Sequence, residues 1–189
     1  MFKNSSKNKR SYKKDFFTKE KTVKKVSDII YNLITTIIYN KIDHIQVGNL
    51  SEIKSFPEKN NILNIITTKN NSIVDFGLLF KNIDELVVIT STINLRSIEK
   101  LKFIKNKYLV NRDDTVKKQQ EIYQECLRSF KKVVVNSNHA KILLIKKGDN
   151  YFVIEGSGNA SINARIEFYN IMNNKDLYED IIKCLKIKD

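Results

Sequence analysis

The run Asp84-Glu85-Leu86-Val87-Val88-Ile89-Thr90 constrains the fold most, because its inner positions are apolar without alternation and mostly β-branched. A strand with one wet face alternates apolar and polar residues; a strand covered on both faces does not. Residues 84–90 are therefore expected to form a central strand. Further β-rich runs at 61–68, 132–136, 141–146, 151–155 and 166–172 predict its neighbours, and Gly148-Asp149-Asn150 predicts a hairpin between two of them. Residues 72–80 fit a short helix or another strand equally well.

Helical spacing interleaves with these runs. Val26, Ile29, Ile30, Leu33, Ile34, Ile37 and Ile38 predict a helix over about 22–40, and Leu95, Ile98, Leu101 and Ile104 predict one over about 95–105. Val116, Ile122, Tyr123, Cys126 and Leu127 predict a third over about 115–129, and Leu177, Ile181, Ile182 and Leu185 a fourth over about 176–187. Asp113 or Asp114 is the expected N-cap of the third; as adjacent helix residues point about 100° apart, a cap fits them better than a shared metal. Strands alternating with helices give an α/β class with a mixed β-sheet flanked by helices.

The chain has 189 residues, enough for one domain and a tail. Residues 1–24 read as a basic, disordered arm and 25–189 as the domain. Thirty-four Lys and Arg against 21 Asp and Glu give a net charge of +13, and ten of the basic residues fall in the first 25 positions. An excess of that size attracts a polyanion, nucleic acid or an anionic surface, over long range. Lys9, Arg10, Lys13, Lys14, Lys24 and Lys25 are the candidate nucleic-acid contacts. A tail that only keeps the chain soluble would look similar. Between Ile29 and Tyr39 the apolar run is broken by Asn32, Thr35 and Thr36, and no apolar stretch follows the first residues. Neither a membrane span nor a signal peptide is expected, which points to the cytoplasm. Cys126 and Cys184 form no CxxC pair, so no disulfide framework or zinc site is implied and both are expected to be buried free thiols.

Residues 138–170 carry the chemistry: NHAKILLIKKGDNYFVIEGSGNASINARIEFYN. His139 and Lys141 are two apart, so on a strand they share a face. The hairpin returns Ser157 and Asn159, flanked by Gly156 and Gly158, to the same end. Imidazole, ammonium, hydroxyl and carboxamide together suit a phosphodiester: a nucleophile or acid, a charge for the non-bridging oxygens, and neutral donors for the transition state. The other histidine, His44, has no lysine two residues on and is expected to be structural.

This segment resembles the HxK(x)4D(x)6GSxN signature of the phospholipase D superfamily, and in its single motif the chain is most similar to the phospholipase D-like proteins of phages and prophages. The resemblance implies a phospholipase D-like sheet with one half-site per chain. It implies that His139 attacks phosphorus to form a phosphohistidine, that Lys141 and Asn159 bind the phosphate oxygens, that Ser157 assists, and that Glu167 orients the histidine. It implies no metal and no cofactor. One motif supplies one imidazole where the reaction needs two, so a homodimer is expected. DNA is the expected substrate, with RNA less favoured, and Arg165 adds a candidate contact beside the site. Two departures stand out: Lys146 replaces the signature's Asp, with Asp149 a shifted stand-in, and three extra residues separate Lys141 from Gly156. They keep open a second class, a phospholipase D-like nucleic-acid-binding or structural phage protein whose chemistry has decayed. A lipid phosphodiesterase is disfavoured, since no lipid-facing amphipathic segment lies outside the core helices.

Overall fold

Every residue of the central strand, Glu85–Thr90, is buried, as expected for a strand covered on both faces. The structure, a computed structural model, describes residues 41–47, 49–67, 71–112, 119–161 and 166–188. The basic arm, the 22–40 helix, the proposed boundary at 24/25, the Asp113 or Asp114 cap and Arg165 all lie outside the described residues. Residues 41–189 group as one unit.

In chain order the strands are β1 (Lys41–Val47), β2 (Asn61–Thr67), β3 (Glu85–Thr90), β4 (Lys107–Arg112), β5 (Lys132–Asn136), β6 (Lys141–Lys147), β7 (Asn150–Gly156) and β8 (Glu167–Asn173). They form one eight-stranded sheet in the order β1-β2-β8-β7-β6-β3-β4-β5. Pairing is parallel for β1 with β2, β3 with β4 and β4 with β5, and antiparallel elsewhere, so the sheet is mixed. Among the described residues the helices are α1 (Leu95–Lys100), α2 (Gln120–Ser129) and α3 (Lys175–Cys184), with 3-10 turns at Leu50–Glu52 and Ile73–Leu79.

Alternation along the strands assigns the faces. Leu86, Val88, Leu143, Ile145, Phe152, Ile154, Tyr169 and Ile171 join the main core with Ile73, Phe76, Ile98, Leu101 and Cys126, so one face is covered by the 3-10 segment, α1 and α2. Val87, Ile89, Leu144 and Val153 point the other way and are buried too. On that second face α3 brings Tyr178 to Glu85, where its hydroxyl donates at 2.7 Å, and edge-on to Tyr151.

The fold departs from the sequence expectations in several places. Residues 73–79 are 3-10 helix, opened by the Ser72 backbone and hydroxyl donating to Asp75. Helix α1 stops at Lys100 and not near 105, because the Leu101 and Ile104 amides reach only three residues back, to Ile98 and Leu101. Both side chains are buried all the same, so the apolar spacing reported burial beyond the helix end. Cys184 is exposed on the last turn of α3; only Cys126 is a buried thiol. Strands β1 and β4 carried no clear sequence signal. In β4 the polar Lys107 and Asn111 are buried, and the Lys107 ammonium donates to the Ile104 carbonyl at 2.9 Å and lies 5.8 Å from the Phe130 ring centre. Among the described residues no helix is long and apolar enough to cross a membrane.

Candidate functional site

The site grows from the register of the β6–β7 hairpin. Ile142 pairs with Glu155, so the strand ends carry Lys141 level with Gly156 and bring the 138–140 segment beside Ser157. His139, Ala140, Lys141, Ile142, Glu155, Gly156, Ser157 and Asn170 line one open cleft there. His139 lies ahead of β6 and not on it, because β3, which pairs with β6 as far as Thr90 and Lys141, bends away at Ser91. The two groups still meet: Lys141 Nζ is 3.1 Å from His139 Nδ1 and donates to the His139 carbonyl at 2.9 Å. An ammonium can only donate, so this contact makes Nδ1 the acceptor and puts the imidazole proton on Nε2.

The GSGN segment is held by Tyr169. A Cβ at Gly156 would run into the Tyr169 ring and the Phe168 carbonyl, and one at Gly158 into the Tyr169 hydroxyl. Both glycines are therefore required by close approach, and the fully buried Tyr169 sets the height of the loop above the core. Ser157 extends the pairing with β8, its amide donating to the Phe168 carbonyl and its hydroxyl accepting from the Phe168 amide, each at 3.0 Å. That hydroxyl in turn donates to the buried Glu167 carboxylate. The carboxylate that the resemblance assigns to the histidine is thus engaged by Ser157, while His139 is engaged by Lys141.

Asn159 lies outside the cleft lining but is tied to the same place. Its Oδ1 accepts from the Ser91 hydroxyl at 2.7 Å, and the next amide, Ala160, donates to Thr90 Oγ1 at 3.2 Å. Thr90 is the cross-strand partner of Lys141, so the loop folds back over the Lys141 end of β6. Sequence reasoning missed Ser91, Tyr169 and the cleft residues Glu155 and Asn170; Ser91 is remote in the chain, and the other three lie within residues 138–170, where the pairing of β7 with β8 sets Glu155 opposite Asn170 and Gly156 opposite Tyr169.

Lys146, the departure from the signature, belongs to the other end of β6. Five residues at about 3.3 Å each put it about 17 Å along the strand from Lys141. There it pairs in register with Glu85 and lies 5.4 Å from the Tyr151 ring centre. Asp149 sits in the two-residue turn at that end, beside Gly148 with its positive φ of 55°. His44 is exposed on β1, with Nδ1 3.2 Å from the Asn64 amide.

No protein-family model matches the chain, and no curated protein matches it. Among solved structures, a yeast tyrosyl-DNA phosphodiesterase mutant is similar over 57% of this chain and 27% of its own, at 13% identity and a TM-score of 0.39. An archaeal chromatin protein, described as showing a novel mode of DNA binding, is similar over 94% of this chain and 64% of its own, at 8% identity and a TM-score of 0.44. The chain thus spans about a quarter of the first structure and just under two thirds of the second.

Proposed function

We propose that the chain is a phospholipase D-like phosphodiesterase that cleaves nucleic acid, DNA before RNA, without a metal and in a site shared by two copies. The observation that carries the reading is the cleft in which His139, Lys141 and Ser157 meet beside the Asn159 loop. A phosphate there would take the N–H groups of Lys141 and Asn159 on its non-bridging oxygens. Once the phosphate draws Lys141 off Nδ1, that nitrogen can hold the proton and Nε2 can attack phosphorus. The bond to the leaving oxygen breaks as a second imidazole protonates it; water, deprotonated by that imidazole, then hydrolyses the phosphohistidine. Each chain offers one such imidazole, so the second comes from another copy, and the basic residues of 1–25 supply long-range attraction.

Plasmid, single-stranded DNA, RNA and phospholipid vesicles incubated in excess EDTA test the reading together. Cleavage of nucleic acid alone, abolished in His139→Ala with DNA affinity kept, is expected. In coexpressed mixtures activity should fall as the square of the wild-type fraction; a linear fall would sink the shared site. Deleting residues 1–24 should weaken DNA binding and lower its salt slope by nearly one unit for each phosphate that the arm had neutralised. One observation favours a second reading, a DNA-binding protein without turnover: Glu167 bonds Ser157 and leaves the histidine to Lys141. Absence of EDTA-resistant cleavage on every substrate would select it.

A further inference from the structure

We infer that Ser91 is a positioning residue that holds the Asn159 carboxamide with its N–H groups available to the phosphate, an inference that rests on the phosphodiesterase reading. A side-chain amide carries an acceptor at one end and two donors at the other, and the two ends have nearly the same shape. Only the donor end can meet a phosphate oxygen. An asparagine on a glycine-containing loop has little of its own to choose between the two orientations or to stay in one rotamer.

Ser91 supplies what the loop lacks. It is 4% exposed and follows directly on β3, so its position is fixed by the centre of the sheet. Its hydroxyl donates to Asn159 Oδ1 at 2.7 Å, which places Nδ2 on the opposite side of the amide. Three further contacts limit movement of the segment. The Ile73 amide donates to the Asn159 carbonyl at 3.3 Å, the Ala160 amide donates to Thr90 Oγ1 at 3.2 Å, and Ile93 bridges to Ala160. Thr90 Oγ1 itself donates to the Thr92 carbonyl at 2.9 Å, so it faces Ala160 as an acceptor. Among the described residues no acceptor meets Asn159 Nδ2, and both of its N–H groups remain for a ligand. Donation into the amide oxygen also polarises the amide and makes those N–H groups stronger donors. The device joins the end of β3 to the GSGN loop, and through Thr90 to Lys141, the other proposed phosphate ligand.

The test is a double-mutant cycle between positions 91 and 159, read as kcat/KM on bis(p-nitrophenyl) phosphate and as competitive inhibition by inorganic phosphate, both in EDTA. Ser91→Ala is expected to lower kcat/KM and the affinity for inorganic phosphate about tenfold. Ser91→Thr, which keeps the hydroxyl, should stay within about threefold, and Ser91→Cys, a weak donor, should fall between. In an Asn159→Ala background Ser91→Ala should have almost no further effect, because nothing is left to position. An additive loss in that background would show that Ser91 acts on the fold in general and would overturn the inference. So would a Ser91→Ala protein as active as wild type. Wild-type protein without turnover in EDTA would overturn the phosphodiesterase reading and this inference with it; the pattern differs from a failure of the inference alone, in which wild type is active and the cycle does not couple.

Discussion

The two ends of the β6–β7 hairpin use similar residues to different effect. At the turn end stand Lys146, Tyr151, Glu85, Tyr178 and Lys188. Glu85 receives the Tyr178 hydroxyl at 2.7 Å and pairs with Lys188, while Lys146 and Lys175 lie 5.4 and 5.6 Å from the Tyr151 ring centre. Helix α3 lies over the group, and each charge meets another part of the same chain. At the cleft end stand His139, Lys141, Ser157, Asn159 and Glu167. Among the described residues the Lys141 ammonium bonds only His139, and neither His139 Nε2 nor Asn159 Nδ2 has a partner. Both ends own a lysine, a ring and a buried carboxylate. Closure separates them: a set that satisfies itself holds structure, and a set that leaves donors outward can hold a ligand.

The sharpest break of this contrast is at His139. His139→Ala should cut turnover by about three orders of magnitude or more while thermal stability stays within about 0.5 kcal/mol, because the imidazole is exposed. Gly156→Ala comes next. Its Cβ would meet the Tyr169 ring and the Phe168 carbonyl, and the strain should cost about 1–3 kcal/mol in urea denaturation and lower activity through the displaced Ser157. At the turn end, Tyr178→Phe removes the hydroxyl that satisfies buried Glu85 and should cost about 1–3 kcal/mol, with kcat per folded molecule unchanged.

Alkaline pH should act through the closed regions. Burial pushes the Cys126 thiol up to about 12, with Glu125 adding to the rise, and burial and then the Glu85 hydrogen bond hold the Tyr178 phenol far above its usual range. Groups raised on folding stabilise fully below their unfolded pKa, so this stability should be lost as the pH climbs from about 9 towards 12. Lys107, whose pKa burial lowers, opposes the trend, since its cost lifts as the pH rises. Denaturation midpoints across that window check the sign, and Cys126→Ala should make the fall shallower. At pH 8 a thiol reagent should label exposed Cys184 at once and Cys126 only on unfolding. The smallest effect belongs to Lys146→Asp. The substitution places a carboxylate opposite Glu85, which should cost about 0.2–1 kcal/mol and leave turnover as it was. A gain in turnover would break the separation of the two ends.

The central strand, the hairpin and the helical class were legible because each rests on local patterning: β-branched runs, a Gly-Asp-Asn turn, apolar spacing. The meeting of His139, Lys141 and Ser157 was legible because a hairpin obeys simple register arithmetic. Strand β4 was not, since its polar Lys107 and Asn111 are buried on a strand paired between β3 and β5, and neither was the early end of α1, where Leu101 and Ile104 keep helical spacing in successive tight turns. Ser91 acts on the GSGN loop across 68 residues of chain and Tyr169 through its pairing with Gly156, contacts that no local pattern marks.

The hairpin turn at Gly148 and Asp149 lies away from the cleft. Length can therefore be added or removed there while the mouth of the hairpin keeps its alignment, provided residues come in numbers that the turn type can absorb. Within that limit the alignment of the mouth is set by the pairing counted inward from the cleft and not by the length of chain between Lys141 and Gly156. A pattern that counts residues along the chain is blind to such drift; one that counts strand pairs from the mouth is not.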